Sequence, residues 1–312
     1  MAKRRSTSKQ LADETAEKRP PRHKGRFLRR LIVLGLLLMG AIAVAPMLIA
    51  HSPLRDTLLN WQMPVGGWRI QCERAGLSWI GSQSLTNAAI LDPAGNPLVT
   101  FESLAVERSL LGLVIQSRNL GTMRVVKPTA YVATRPDGSN VEDFLAAVAK
   151  QQPTASESIP SAPQAPPIVN LEIVGGALRG LDTVSNAQWS LEQINLTTNL
   201  GSPDGKVSAD GTAVVAGSEN EPEGRVKFRV VPTESGEQQL DFLAEGIQLA
   251  AFSPWLTRLL GENQLAGITS LDAHATWSTA TEGTIAIKTW GRSETNNLLL
   301  TGNVLKGDEL RA

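Results

Sequence analysis

LIVLGLLLMGAIAVAPMLIA, residues 31–50, decides how the rest of the chain is read. It holds twenty residues with no charge and no side-chain amide. A helix of that length is roughly 30 Å long, the thickness of a bilayer's hydrocarbon core. The competing reading is a cleaved signal peptide. A signal has an apolar run of only about 7–15 residues and a shorter leader than the 30 residues found here. The best cleavage position, Ala43-Val44-Ala45, is followed directly by Pro46, which lacks an N–H and has a fixed φ. A retained anchor is therefore expected, with a membrane-tolerated kink at Pro46.

The formal net charge is zero, but it divides sharply around this stretch. Residues 1–30 carry eleven Lys/Arg and three acids, a net of +8, whereas 19 basic and 27 acidic residues follow the span. That asymmetry places the amino terminus in the cytoplasm and the bulk of the chain outside. A basic leader is also a feature of nucleic-acid arms. This one has Phe27 as its single aromatic residue and abuts the span, so topology and anionic lipid explain it and no nucleic acid is expected. The single cysteine, Cys72, rules out an internal disulfide framework.

Working outward, residues 1–30 read as a disordered basic cytoplasmic tail. Ser52-Pro53 reads as an N-cap and first helical residue, with Leu54, Leu58, Leu59 and Trp61 at helical spacing. That helix lies near the membrane surface or packs on the first strands. Trp68, Ile70 and Cys72 alternate with Arg69, Gln71 and Glu73, and Leu77 and Trp79 continue the strand. Ala88 and Ile90, then Asp92–Pro97, then Val99 and Phe101 form a hairpin. Residues 108–115 read as a short amphipathic helix on the sheet. Met123 and Val125 mark a strand before Pro128 and Tyr131. A capping box, Ser139/Glu142 or Asn140/Asp143, opens a helix that buries Phe144, Leu145 and Val148.

QQPTASESIPSAPQAPP, residues 151–167, is a linker that cannot bury enough apolar surface to order itself. The domain boundaries leave 152–167 as the linker between an α+β domain at 51–151 and an antiparallel β region at 168–312. In the second part Val169, Leu171 and Ile173 alternate with polar residues. Val226, Phe228 and Val230 oppose Arg225, Lys227 and Arg229. Leu240 and Phe242 oppose Gln239 and Asp241, and Leu271, Ala273, Ala275 and Trp277 oppose Asp272, His274 and Thr276. Turns at Ser202–Gly205, Glu221–Gly224 and Ser235-Gly236 separate the strands, and a helix is expected over Phe252–Leu260. Residues 297–305 read as a last strand with an open edge, so further chain or a covering partner is expected there. The fold class is mainly β with a few short helices: a single transmembrane helix, then an elongated, open antiparallel sheet or groove with one wet face.

The search for chemistry is brief. His23, His51 and His274 cannot be argued into one metal site, and Cys72 has no thiol or imidazole nearby in sequence. Gly76–Gly81 has the wrong spacing for a nucleophile elbow, and Ser6-Thr7-Ser8-Lys9 lies in the tail. No P-loop or dinucleotide fingerprint occurs. Asp272 and His274 could be half of an acid–base pair, but on a wet strand they read as solvated surface residues. No cofactor and no catalysis is expected. What remains is geometric: an apolar sheet face is either a trough for acyl chains or an ordinary core under the short helices.

The order of the elements carries a resemblance. A basic tail and span lead into the helix-to-strand passage Leu54–Trp68. VTFESLAVERSLLGLVI (99–115) then gives a strand and a short leucine-rich helix. Val125-Val126-Lys127-Pro128 and Asp137-Gly138-Ser139-Asn140-Val141 follow, with Gly246–Leu260 and Gly267–Ala273 later. Over most of residues 27–312 this resembles the amino-terminal part of AsmA-like proteins, a family of bacterial envelope proteins. The resemblance implies an inner-membrane, single-pass anchor through Leu31 to Ala50, with a periplasmic β-groove that binds phospholipid. It further implies a role in phospholipid transport or outer-membrane assembly and integrity, and no catalytic residues. Alternation nominates Val169, Leu171, Ile173, Val226, Phe228, Val230, Leu240 and Phe242 as the groove lining. The alternatives are an envelope scaffold docking a protein partner through its β-face and an anchored extracytoplasmic hydrolase.

Overall fold

The structure is a computed structural model that describes residues 24–61, 66–116, 118–150, 168–184, 186, 188–201, 206–216, 223–252, 264–279, 285–301 and 310–311. The tail before residue 24, the linker 151–167, the turns at 202–205 and 221–222 and the helix expected at 253–260 lie outside the described residues. So do positions 302–305 of the expected last strand. Compact units divide between Ala45 and Pro46.

Helix α1 (Lys24–Ala50) begins before the apolar stretch, so Lys24–Arg30 are helical rather than tail. Within it, Arg29–Ala50 is long and apolar enough to cross a membrane. From Arg29 to Val44 its residues are exposed, Leu34 and Leu37 each at 66%, whereas Pro46 and Ala50 at its end are buried.

Helix α2 (Leu54–Trp61) follows. Ser52 does not cap it as expected; its hydroxyl donates back to the Ile49 carbonyl at 3.2 Å, closing the end of α1. Asn60 fastens α2 to the next strand, its Nδ2 donating to the Ile70 carbonyl and its Oδ1 accepting from the Ile70 N–H. Strands β1 (Arg69–Gly76), β2 (Gln83–Leu91) and β3 (Pro97–Val106) form an antiparallel meander with the expected hairpin, Ile90 opposite Val99 and Ala88 opposite Phe101. Leu77 and Trp79 are not strand residues; they lie in the loop between β1 and β2. Helix α3 (Leu110–Ile115) is N-capped by Ser109.

Strands β4 (Asn119–Val126) and β5 (Thr129–Arg135) behave as one strand interrupted at Lys127-Pro128. Both pair with β3 in a single register, since Ser103 faces Val126 and Thr100 faces Thr129. Between those pairs Lys127 reaches Glu102 at 2.8 Å. After β6 (Gly138–Ser139), helix α4 (Asn140–Ala149) starts at Ser139, whose hydroxyl accepts from the Glu142 N–H. Val141, Phe144 and Val148 pack on Trp68 and Leu98, with the Phe144 and Trp68 rings edge to face at 4.9 Å. Leu145, expected in that stripe, is 58% exposed.

Strand β7 (Ile168–Asp182) pairs in parallel with both β4 and β5, a departure from the all-antiparallel expectation. The chain on both sides of 151–167 thus enters one sheet. Gly175 of β7, with φ of +64, matches the left-handed Lys127 across the ladder, a conformation glycine adopts without steric cost. The rest is antiparallel: β8 (Gln188–Leu200), β9 (Ser208–Val215), β10 (Gly224–Pro232), β11 (Gln238–Gln248), a 3-10 turn (Leu249–Phe252), β12 (Gln264–Thr279), β13 (Ile285–Thr301) and β14 (Leu310–Arg311). The strand expected at 297–305 begins much earlier, at Ile285. Bulges interrupt the β7–β8, β8–β9, β11–β12 and β12–β13 ladders, and each bends its strand locally.

Among the described residues fourteen strands form a single sheet, with an unclosed path from β1 to β14. Among the described residues no large side chain is completely buried, and the buried apolar residues fall into three small clusters.

Candidate functional site

The β10 sequence Arg225–Val230 shows how the site is built. In a strand, side chains alternate between faces. Here Arg225, Lys227 and Arg229 are exposed while Val226, Phe228 and Val230 are half-buried. Directly paired residues point the same way, so the register carries the pattern from strand to strand.

One row can be followed from β1 to β13. Ala75 faces Leu85, Leu85 faces Leu104, Leu104 faces Val125, and Val125 faces Ile173. Ile173 faces Leu196, Leu196 faces Gly211, and Gly211 faces Phe228. Phe228 faces Phe242, Phe242 faces Ala273, and Ala273 faces Gly291. Every member is apolar or glycine. At about 4.8 Å between neighbouring strands, the row extends on the order of 50 Å along the sheet.

A second row runs beside it through Met123, Leu171, Thr198, Ala209, Val230, Leu240 and Ala275. Val169, opposite Leu200, lies on the same face. All eight positions nominated from the sequence therefore share one face. They differ in cover. Val226 and Phe242 pack with Val215, Ala244, Ile247, Leu191 and Leu271, a small core at one end of the strands. The other six nominees lie outside that cluster and are half-buried. Leu85, Leu104, Val125, Leu196 and Met123 belong to the same face and were missed, because alternation within each strand does not say which strands adjoin.

The opposite face is ionic. Arg124 pairs with Glu172 at 3.5 Å. Further along, Asp210, Arg229, Asp241, His274 and Trp290 are successive cross-strand partners. His274 is not simply a solvated residue. Its Nδ1 lies 2.8 Å from Asp241 Oδ1, its Nε2 lies 3.2 Å from Asp272 Oδ1, and its ring stacks on Trp290 at 5.6 Å. Hydrogen bonds from the Gln239 amide and the His274 ring hold the Asp241 carboxyl below its ordinary range. An open depression of 460 Å³ lies here, lined in part by Asp210, Thr212, Lys227, Arg229, Asp241 and Asp272. Its charges of both signs largely neutralise one another.

Cys72 is buried, and desolvation pushes its thiol up against the opposing pull of Arg55. Among the described residues no group of three or more His, Cys, Asp or Glu side chains is placed to hold a metal ion. No protein-family model matches the chain, and no curated protein matches it.

Proposed function

We propose that the chain is an AsmA-like, single-pass protein of the inner membrane. Its amino terminus is cytoplasmic and its bulk periplasmic. It lays lipid acyl chains along the apolar face of its sheet, in phospholipid transport or outer-membrane assembly. The observation that carries the reading is the unbroken apolar row from Ala75 to Gly291. A soluble single-layer sheet would normally hide such a face under helices or a second sheet. Among the described residues, helix α2 lies against β1, helix α4 against β5 and β6, and the short 3-10 turn against β8 and β12.

The mechanism is passive. Acyl chains lie on the apolar face, head groups stay in water, and burial supplies about 0.8 kcal/mol per CH₂. The alternating acids and bases on the other face keep that side wet. Mass spectrometry of the purified full chain tests the reading. Bound phospholipid beyond the annular lipid of α1, lost on Phe228→Asp, supports it. A folded chain with no such lipid points to a scaffold that docks a protein on this face.

A further inference from the structure

The three largest exposures of apolar side chains outside α1 and α2 among the described residues lie on the loop between β1 and β2 and on α3: Ile80 at 89%, Val114 at 75% and Ile115 at 71%, with Leu111 of the same helix at 48%. These side chains stand on a rigid base. Gln83, itself 8% exposed, donates through Nε2 to the carbonyls of Ser78, Gly81 and Arg108 at 2.8, 2.9 and 3.3 Å. Its Oε1 accepts from the Ser78 N–H at 3.0 Å. The Leu110 and Leu111 N–H groups donate to the Ser78 and Trp79 carbonyls at 3.1 and 3.2 Å. A buried amide that both donates and accepts in this way locks loop and helix together. The exposed residues are thus held out, not frayed out.

The position of this platform says what covers it. Leu77, where the loop begins, packs in one cluster with Ala50, the last residue of α1, and with Cys72, Ala75 and Ala88. The loop starts where the apolar helix ends. Residues 77–83 and 108–119 contain no acidic side chain but carry Arg108 and Arg118, the charge balance suited to a phosphate-bearing surface. Apolar tips flanked by arginines are the composition of an element lying in the interface of a bilayer, roughly 5–10 Å into the headgroup–acyl boundary.

We propose that Ile80, Leu111, Val114 and Ile115 form a second membrane contact, inserting into the bilayer that α1 crosses. This rests on the anchored reading of α1 given above. The contact fixes the β1–β3 end of the sheet against the membrane instead of leaving it on a single flexible tether.

The test uses the full chain in nanodiscs of phosphatidylethanolamine and phosphatidylglycerol. Single spin labels are placed by Ile80→Cys, Val114→Cys, Leu37→Cys in the span and Ala94→Cys in the hairpin at the opposite end of β2 and β3. The wild-type chain, whose one thiol is buried, is the labelling blank. Labels at 80 and 114 are expected to collide with oxygen in preference to a water-soluble nickel chelate, as at position 37, while position 94 shows the reverse. Labels at 80 and 114 that behave like position 94, with position 37 still in lipid, overturn the second contact and leave the anchor intact. Labels at 80 and 114 shielded from both reagents mean a protein neighbour and also overturn it. A label at 37 that behaves like position 94 removes the anchored reading itself.

Discussion

The ring of Phe228 covers Gly211, its direct partner on β9, so closely that a methyl group added to Gly211 would meet the ring edge. The pair shows how the apolar row stays continuous across a position with no side chain, an aromatic neighbour filling the gap. Gly211→Ala is therefore expected to destabilise the fold by about 1–3 kcal/mol through overpacking. The same substitution in a Phe228→Ala background should cost less than half as much. Chemical denaturation of the four chains, read as a double-mutant cycle, checks the coupling.

Asp241 gives the fold a pH dependence of definite sign. Hydrogen bonds from Gln239 and His274 hold its carboxyl below the ordinary value of about 3.9. Stability from this group is present above about pH 4 and is lost as the pH falls through the lower folded value, because the unfolded chain takes up the proton first. Its side chain is 39% exposed, so solvent screening keeps the contribution small. Asp241→Asn should flatten the acid limb of a Tm-against-pH profile; an unchanged limb would show that the hydrogen bonds carry no linkage.

Much of this architecture is legible in the chain. Alternation in Arg225–Val230, the Asp92–Pro97 turn and the Ser139 cap are local signals, and local chemistry decides them. The parallel pairing of β7 with β4 and β5 is not legible, because no short-range pattern distinguishes a parallel neighbour from an antiparallel one. Nor is the bracketing of His274: Asp272 is two residues away, but Asp241 arrives from another strand through register alone. Leu145 fails for a related reason, since α4 is amphipathic but its packed side is chosen by Trp68 and Leu98.

Gln83 is expected to be structurally expensive to lose. Gln83→Ala leaves the Ser78 N–H and the Ser78, Gly81 and Arg108 carbonyls without their shared partner, at about 1–3 kcal/mol. Hydrogen exchange at Ser78, Leu110 and Leu111 should accelerate more than exchange in β10 and β11. Uniform acceleration would mean that the amide supports the whole fold and not this loop.

Cys72 should behave as a core residue. Burial and a raised thiol value suppress the thiolate. A water-soluble maleimide is expected to label the native chain slowly and the denatured chain fully. Rapid labelling of the native chain would contradict the packing of α2 and Ala50 over β1.

The measurement that tests the central claim most directly is site-specific photo-crosslinking on the two faces of β10 and β11 in the intact membrane. Benzophenone side chains replace Val230 or Leu240 on the apolar face and Lys227 or Arg229 on the ionic face, with Leu37 as the bulk-lipid control. The expected result is phospholipid adducts at 230, 240 and 37 and none at 227 or 229. Adducts to protein alone at 230 and 240, or lipid adducts equal on both faces, would contradict a lipid-binding apolar face.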